Sequence, residues 1–573
     1  MQLRCLSRYW FVWLTIVVPV FSQPSPEKPL APVSKNWHIV NARIVQSPGK
    51  IIEKGSIVIE NGLITQVGTV SNVPYDAIEI KGDSLTLYAG FIDGLSHIGI
   101  PRPKEEPLPR IPRPGEPDYN RAGLQPDIDV RSFLKAEDPS VDEWRKLGFT
   151  AAQVAPFGRM MPGKTALIFL SGQNANQMIF QPQVALMGQL LGAARGQGQQ
   201  VYPSNDLGIL AFWRQAFGAA KQSLSYETTY HKNPFGLQRP VTDPIHTALF
   251  PVLKGEKQVI FFANDYIDAL RGLRLGDDLG YKTVLAGLKN GYEILPQLKS
   301  RSMPVFLSLE LPEAPREIKE KTSAASTNER IDSHAKTPAE TGRLIQTQKK
   351  IYLQHVRQAS VFQESGILFG FSTKEAKASN IRKNFGTLLQ NGLNENQLLA
   401  SLTTNPAKIL GVEAQLGSIE KGKIANLIFS DGPVFDEKSQ IRMVMVEGSL
   451  FKYPKNASKK GANAEGGNGS GAFSTALGTW TISVVTPGGA QEGTLVFTTS
   501  AGTLQGSLKT NDENSALQDV KLEGQTLTCK GYAQNSEIVF TLKLEGETLS
   551  GTVYVTALQS DLPVTGTRTT KPN

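Results

Sequence analysis

Between Trp37 and Gly82 apolar and polar residues alternate in short runs: WHIVNARIV, GSIVIENGLITQVG and DAIEIKG. A period of two predicts half-buried strands, and Asn61-Gly62 between two apolar runs predicts a hairpin. The next run, TLYAGFIDGLSHIGI from Thr86 to Ile100, is apolar until an Asp and a His near its end. It predicts a buried strand whose last residues project into a site at its C-terminal end. Residues 256–309 alternate most regularly: strand KQVIFFA, helix NDYIDALRGLRLGDDLG, strand KTVLAG, helix NGYEILPQLKSRS, strand PVFLSLEL. Strands alternating with helices imply right-handed parallel crossovers, which a barrel and an open sheet both satisfy.

The remaining pattern fills in around these runs. Residues 102–118 are Pro-rich and charged, a loop over one end of the fold. A helix (DPSVDEWRKLG), strands (GFTAAQVAP, KTALIFLSG) and an amphipathic helix over 207–224 follow. Residues 310–341 read as a polar insertion, followed by a helix over about 342–364, strand GILFGFST and two more helices. Strands return over 413–453. Beyond a Gly/Ser/Asn-rich linker at 454–473, eight short strands argue an antiparallel barrel or sandwich over 474–573.

Composition narrows the class. A chain of 573 residues, 40% hydrophobic and 20% charged, is globular and of several domains. Its net charge of +8 is scattered in short runs such as KGEK, a solvated surface and not a nucleic-acid groove. Residues 1–22 read as a secretory signal: Arg4 and Arg8, then YWFVWLTIVVPVF, with Val20 and Ser22 suited to cleavage, and a linker over 23–36. The mature protein is expected to be exported, periplasmic or extracellular, with no other span. Cys5 leaves with the signal, so Cys529 has no partner for an internal disulfide. There is no Gly-x-Ser-x-Gly elbow, no phosphate loop and no dinucleotide fingerprint.

IVNARIV, GSIVIENGLITQVG and GFIDGLSHIG together resemble the opening of the amidohydrolase superfamily, nearest its imidazolonepropionase-like branch. ASLTTNPAKILG, LGSIEKGKIANLI and VMVEGSLF resemble its closing segments. The resemblance implies a distorted (β/α)8 TIM-like barrel over 86–412, with a composite β-sandwich from 37–85 and 413–453. It also implies hydrolysis of carbon–nitrogen bonds in small molecules by water activated on one or two divalent metals, such as zinc.

Transferred residue by residue, the Asp-x-His-x-His motif gives Asp93, Leu95 and His97, so the first imidazole is replaced by a side chain that cannot coordinate. Phe262 and Ala286 stand where the family commonly has His. Lys374, followed by Glu375, stands where the family has its catalytic Asp. An ammonium has three donors and no acceptor, so Lys374 is expected to take the cation's place and pair with Asp93 or another carboxylate. His38, His231, His246, His334 and His355 fall outside the motifs and suit surface or packing roles, although His231 and His246 lie near one another. In the C-terminal domain, Trp480 beneath Arg568 resembles the closed end of a calycin barrel. The expectation is a degenerate metal centre, with no metal or a single zinc, and a role in binding a small molecule or in scaffolding. The alternatives are an active hydrolase using His97 and Asp93, and an envelope ligand-binder acting through the C-terminal β-domain.

Overall fold

A computed structural model of the protein describes residues 36–104, 108–315, 338–453 and, short turns apart, 476–570. The expected signal, nearly all of the linker 23–36, the linker 454–473, His334 and most of the polar insertion lie outside the described residues. The chain forms two compact units, Met1–Asn456 and Ala457–Asn573.

The first unit is built on a ring of eight strands: β1 (Phe91–Ser96), β2 (Phe149–Val154), β3 (Gly163–Lys164 with Ala166–Phe169), β4 (Ala185–Gln189), β5 (Gln258–Phe262), β6 (Thr283–Leu288), β7 (Val305–Ser308) and β8 (Phe369–Ser372). Strands β4 to β8 pair in parallel in chain order, and β1 pairs in parallel with β2. The ring meets itself between β8 and β1, where the Ser372 hydroxyl donates to the Leu95 carbonyl at 2.7 Å. Barrel, not open sheet, is therefore the architecture.

One strand breaks the expected parallel pattern. β3 runs antiparallel to both of its neighbours, with Ala151 opposite Phe169 and Leu186 opposite Lys164. Only residues 155–162 join β2 to β3. That is shorter than the dozen or so residues a parallel crossover requires, so the chain turns straight back. Ile92, Ala151, Leu167, Met187, Ile260, Val284 and Phe306, one from each of seven strands, join in one buried cluster. Phe306 packs so closely that a Cβ on Gly94 would lie 2.0 Å from its ring.

The run Thr86–Ile100 is two strands, not one. Thr86–Ala89 pairs with Trp37–Ser47 and with Leu427–Ser430, whereas β1 pairs with β2. The break falls at Gly90, where a Cβ would meet the Thr150 hydroxyl oxygen at 2.1 Å. There the backbone changes partners: Gly90 N–H donates to Asn426 and Phe91 N–H to Gly148. Thr86–Ala89 thus sits in an eight-stranded flanking sheet drawn from both ends of the unit. Trp37, Ile39, Ile57, Leu87, Phe429 and Met445 share its core.

Helices cover the ring. The helix expected over 207–224 runs further, Asp206–Lys232, and starts where the Asn205 side chain accepts from the Gly208 amide. Among the described residues no helix is long and apolar enough to cross a membrane.

The second unit is a closed barrel of eight antiparallel strands in sequence order, which removes the sandwich option. Its last strand returns to its first with Arg568 opposite Trp480. The Trp480 indole is buried, donates to the Ala476 carbonyl at 2.9 Å and lies 4.4 Å beneath the Arg568 guanidinium. Cys529 is buried among the strands, and burial pushes its thiol up to about 12.

Candidate functional site

The C-terminal ends of the ring strands converge on a cavity of about 1250 Å³, lined by His97 after β1, Phe157 after β2, Gln189 at the end of β4, and Lys374 and Glu375 after β8. The expected loop 102–118 contributes Arg102, Pro103, Lys104 and Leu108 to the same wall.

Asp93 is fully buried in β1 and does not meet Lys374. Its carboxyl accepts from the Thr373 amide at 3.0 Å, from the Leu95 amide at 3.2 Å and from the Thr373 hydroxyl. Burial still dominates these donors and raises the carboxyl to about 7. Leu95 is buried beside it. His97 donates through Nδ1 to the Ala155 carbonyl at 2.8 Å, which leaves Nε2 as its one acceptor. Its ring stacks on Phe157 with centroids 3.9 Å apart. Burial, then the charge of Lys374 and with it Arg102, pushes its pKa down to about 4, so the imidazole is neutral.

The expected pairing of Lys374 with Asp93 is not formed. The Lys374 ammonium lies 3.7 Å from the centroid of the Phe262 ring, against its face. Burial pushes it down to about 8; Glu375 opposes this and Lys289 adds to it. The lysine that does bridge carboxylates is Lys289, just past β6. Its ammonium sits 2.5 Å from Glu310 and 2.7 Å from Glu375. Burial lowers its pKa, but the bonds from both glutamates outweigh burial and raise it. A cation thus stands between two carboxylates after β6, β7 and β8, supplied by a residue that no motif marked.

A divalent ion needs several oxygen, nitrogen or sulfur donors converging on one point. Here Leu95, Phe262 and Ala286 offer none, His97 offers one nitrogen, and the Asp93 oxygens are engaged by Thr373 and Leu95. Among the described residues no three His, Cys, Asp or Glu side chains come together as a metal-holding group. The other histidines stay apart from this point. His246 bonds Tyr119 and Ser223 at 3.2 and 3.1 Å, His231 is exposed in the last turn of its helix, and His38 lies in the flanking sheet. His355 lines a separate cavity beside Lys289 and Glu310, and its Nδ1 has no partner.

Similarity agrees with this architecture. Residues 327–451 match the amidohydrolase family. An amidohydrolase from Thermotoga maritima superposes with a TM-score of 0.56 at 21% identity, covering 73% of this chain and all of that one. A prolidase complexed with N-methylphosphonate-L-proline (TM-score 0.42, 17% identity, covering 73% of this chain and 100% of that one) is more distant. So is a zinc-bound adenosine deaminase from Xanthomonas campestris (TM-score 0.34, 12% identity, 72% and 92%). No curated protein matches in sequence. The first unit therefore shares the fold of that Thermotoga amidohydrolase, and its closing portion, residues 327–451, matches the amidohydrolase family.

Proposed function

We propose that this is an exported amidohydrolase-fold protein whose barrel mouth binds a small molecule without a metal centre. The observation that carries the reading is the succession of Leu95 and His97 at the end of β1: the one imidazole that lines the cavity among the described residues follows, two positions on, a buried aliphatic side chain. The donor set does not fit a zinc ion, so no water activation is derived from one. Asp93 serves instead to tie β1 to β8 through Thr373, and Lys374 rests on Phe262 inside the cavity. Export rests on the charged and apolar segments at 1–22. Fold likeness alone argues for carbon–nitrogen hydrolysis, and function follows the site before the fold.

Metal analysis of the purified full-length protein tests the reading. The expected content is below about a tenth of an equivalent of zinc, manganese or iron. A full equivalent, lost together with activity in His97→Ala, would establish the hydrolase instead. Leu95→His with Lys374→Asp is expected to raise zinc content, because it restores two donors at the ends of neighbouring strands, β1 and β8.

A further inference from the structure

The cavity at the barrel mouth has a charge pattern that a neutral ligand does not need. Its lining carries five cationic side chains, Arg102, Lys104, Arg159, Arg195 and Lys374, against one carboxylate, Glu375. That carboxylate is held by Lys289 at 2.7 Å. Among the described residues none of the five cations forms an ion pair; Glu105 and Glu106, on the same loop, lie outside them. A concave wall of one sign focuses its field into the cavity and concentrates counter-ions there.

The five are not equivalent. Lys374 stands at the end of β8 and Arg102 on the loop that follows β1, and the charges of both reach the imidazole of His97. Arg102 lies 6.0 Å from the centroid of Phe157, the ring on which His97 stacks. The wall thus presents an ammonium and a guanidinium, both within electrostatic reach of one neutral imidazole. Guanidinium and ammonium groups so placed match the oxygens of a carboxylate or phosphate. The wall between the charges is apolar, with Leu108, Pro156, Phe157, Met187 and Leu191. A space of about 1250 Å³ with this lining suits an organic body more than a bare inorganic ion.

We infer that the barrel mouth is a binding site for a small organic oxyanion, a carboxylate or phosphate ester on an apolar body, held by Lys374 and Arg102 on the wall they share with His97. This rests on the metal-free reading of the same cavity and supplies its ligand class. The buried ammonium of Lys374, already drawn down to about 8, gains a counter-charge when the anion binds.

The test uses the full-length protein and three probes: isophthalate, phenyl phosphate and the neutral isophthalamide. Calorimetry is expected to give one-to-one binding of at least one anion, weakened at high salt, and none of the neutral amide. The better anion tells carboxylate from phosphate as the natural group. Lys374→Met and the exposed Arg102→Gln are each expected to weaken binding about tenfold or more, the loss of one charge-assisted bond. Lys254→Met, an exposed lysine outside the cavity, is expected to leave it unchanged. Equal binding of the amide, or anion binding indifferent to both cavity variants, overturns the inference. So does an absence of anion binding in protein whose zinc content is below a tenth of an equivalent. A full equivalent of zinc in the same sample overturns the metal-free reading itself, so the two failures are told apart.

Discussion

Replacing Asp93 with Asn removes a carboxyl that burial holds protonated toward neutrality, yet keeps its shape. The amide oxygen still accepts from the Leu95 and Thr373 amides, and its NH2 donates to the Thr373 hydroxyl. In the folded protein Asp93 titrates at about 7, against an ordinary value of 3.8. Between those values the native state keeps a proton that the unfolded chain has released. Its stabilisation is complete below 3.8 and is lost as pH rises through about 7. The slope is about 1.4 kcal/mol per pH unit, and about 4 kcal/mol over the whole window. Other groups titrate in the same range, so the measured quantity is wild type minus Asp93→Asn. Urea unfolding of the full chain, followed by helical circular dichroism, reports the first unit alone, because the second is all strand among its described residues. The difference is expected to fall by about 3 kcal/mol between pH 4 and pH 7. A difference that stays constant would refute the reasoning, because the three donors would then have kept the carboxylate ionised throughout.

Gly94→Ala places a methyl 2.0 Å from the Phe306 ring and is expected to cost about 3 kcal/mol or to prevent folding, read in the same urea assay. Lys289→Met leaves Glu310 and Glu375 facing each other without their cation, and a loss of about 1 kcal/mol is expected at neutral pH, these groups being partly exposed. Adding Glu310→Gln is expected to recover most of it. His97 is expected to stay neutral from pH 8 down to pH 5, with Nδ1 protonated, in imidazole nitrogen spectra, because its pKa is about 4. Arg568→Met removes the cation over Trp480 and is expected to destabilise the C-terminal barrel by about 1 kcal/mol and to shift its tryptophan emission.

Much of the first unit is legible because its helices and strands have different periods, and because the chain around Asp93 and His97 carries a motif. What escapes reading is what periodicity does not encode. Both halves of Thr86–Ser96 are buried, so nothing in their apolar run marks the change of sheet at Gly90; the crowding by Thr150 does. KTALIFLSG reads as a strand without a direction, and only the shortness of its connection shows that it runs backwards. At the site, His97, Lys374 and Glu375 fall on motif positions and do line the cavity. Asp93 meets Thr373 from 280 residues away, a partnership no local pattern records. Lys289, Arg159 and Arg195 lie on connections, where charged residues are ordinary and three-dimensional convergence alone gives them meaning.

The flanking sheet sets the order in which this chain can fold. Thr86–Ala89 is held on one side by a strand that precedes it and on the other by Leu427–Ser430. The Trp37 indole donates to the Gly448 carbonyl across 411 residues. A chain that emerges amino end first, from a ribosome or a translocation pore, presents Trp37–Gly68 long before its closing strands arrive. The delay costs little at equilibrium: lengthening a loop from about 40 to about 400 residues adds only about 2 kcal/mol of closure entropy. Its cost is in time, during which Thr86–Ala89 is an open sheet edge that another chain can occupy. Shortening the protein before residue 427 therefore removes more than a strand: it leaves the amino-terminal half of the sheet without the partner that ends its exposure.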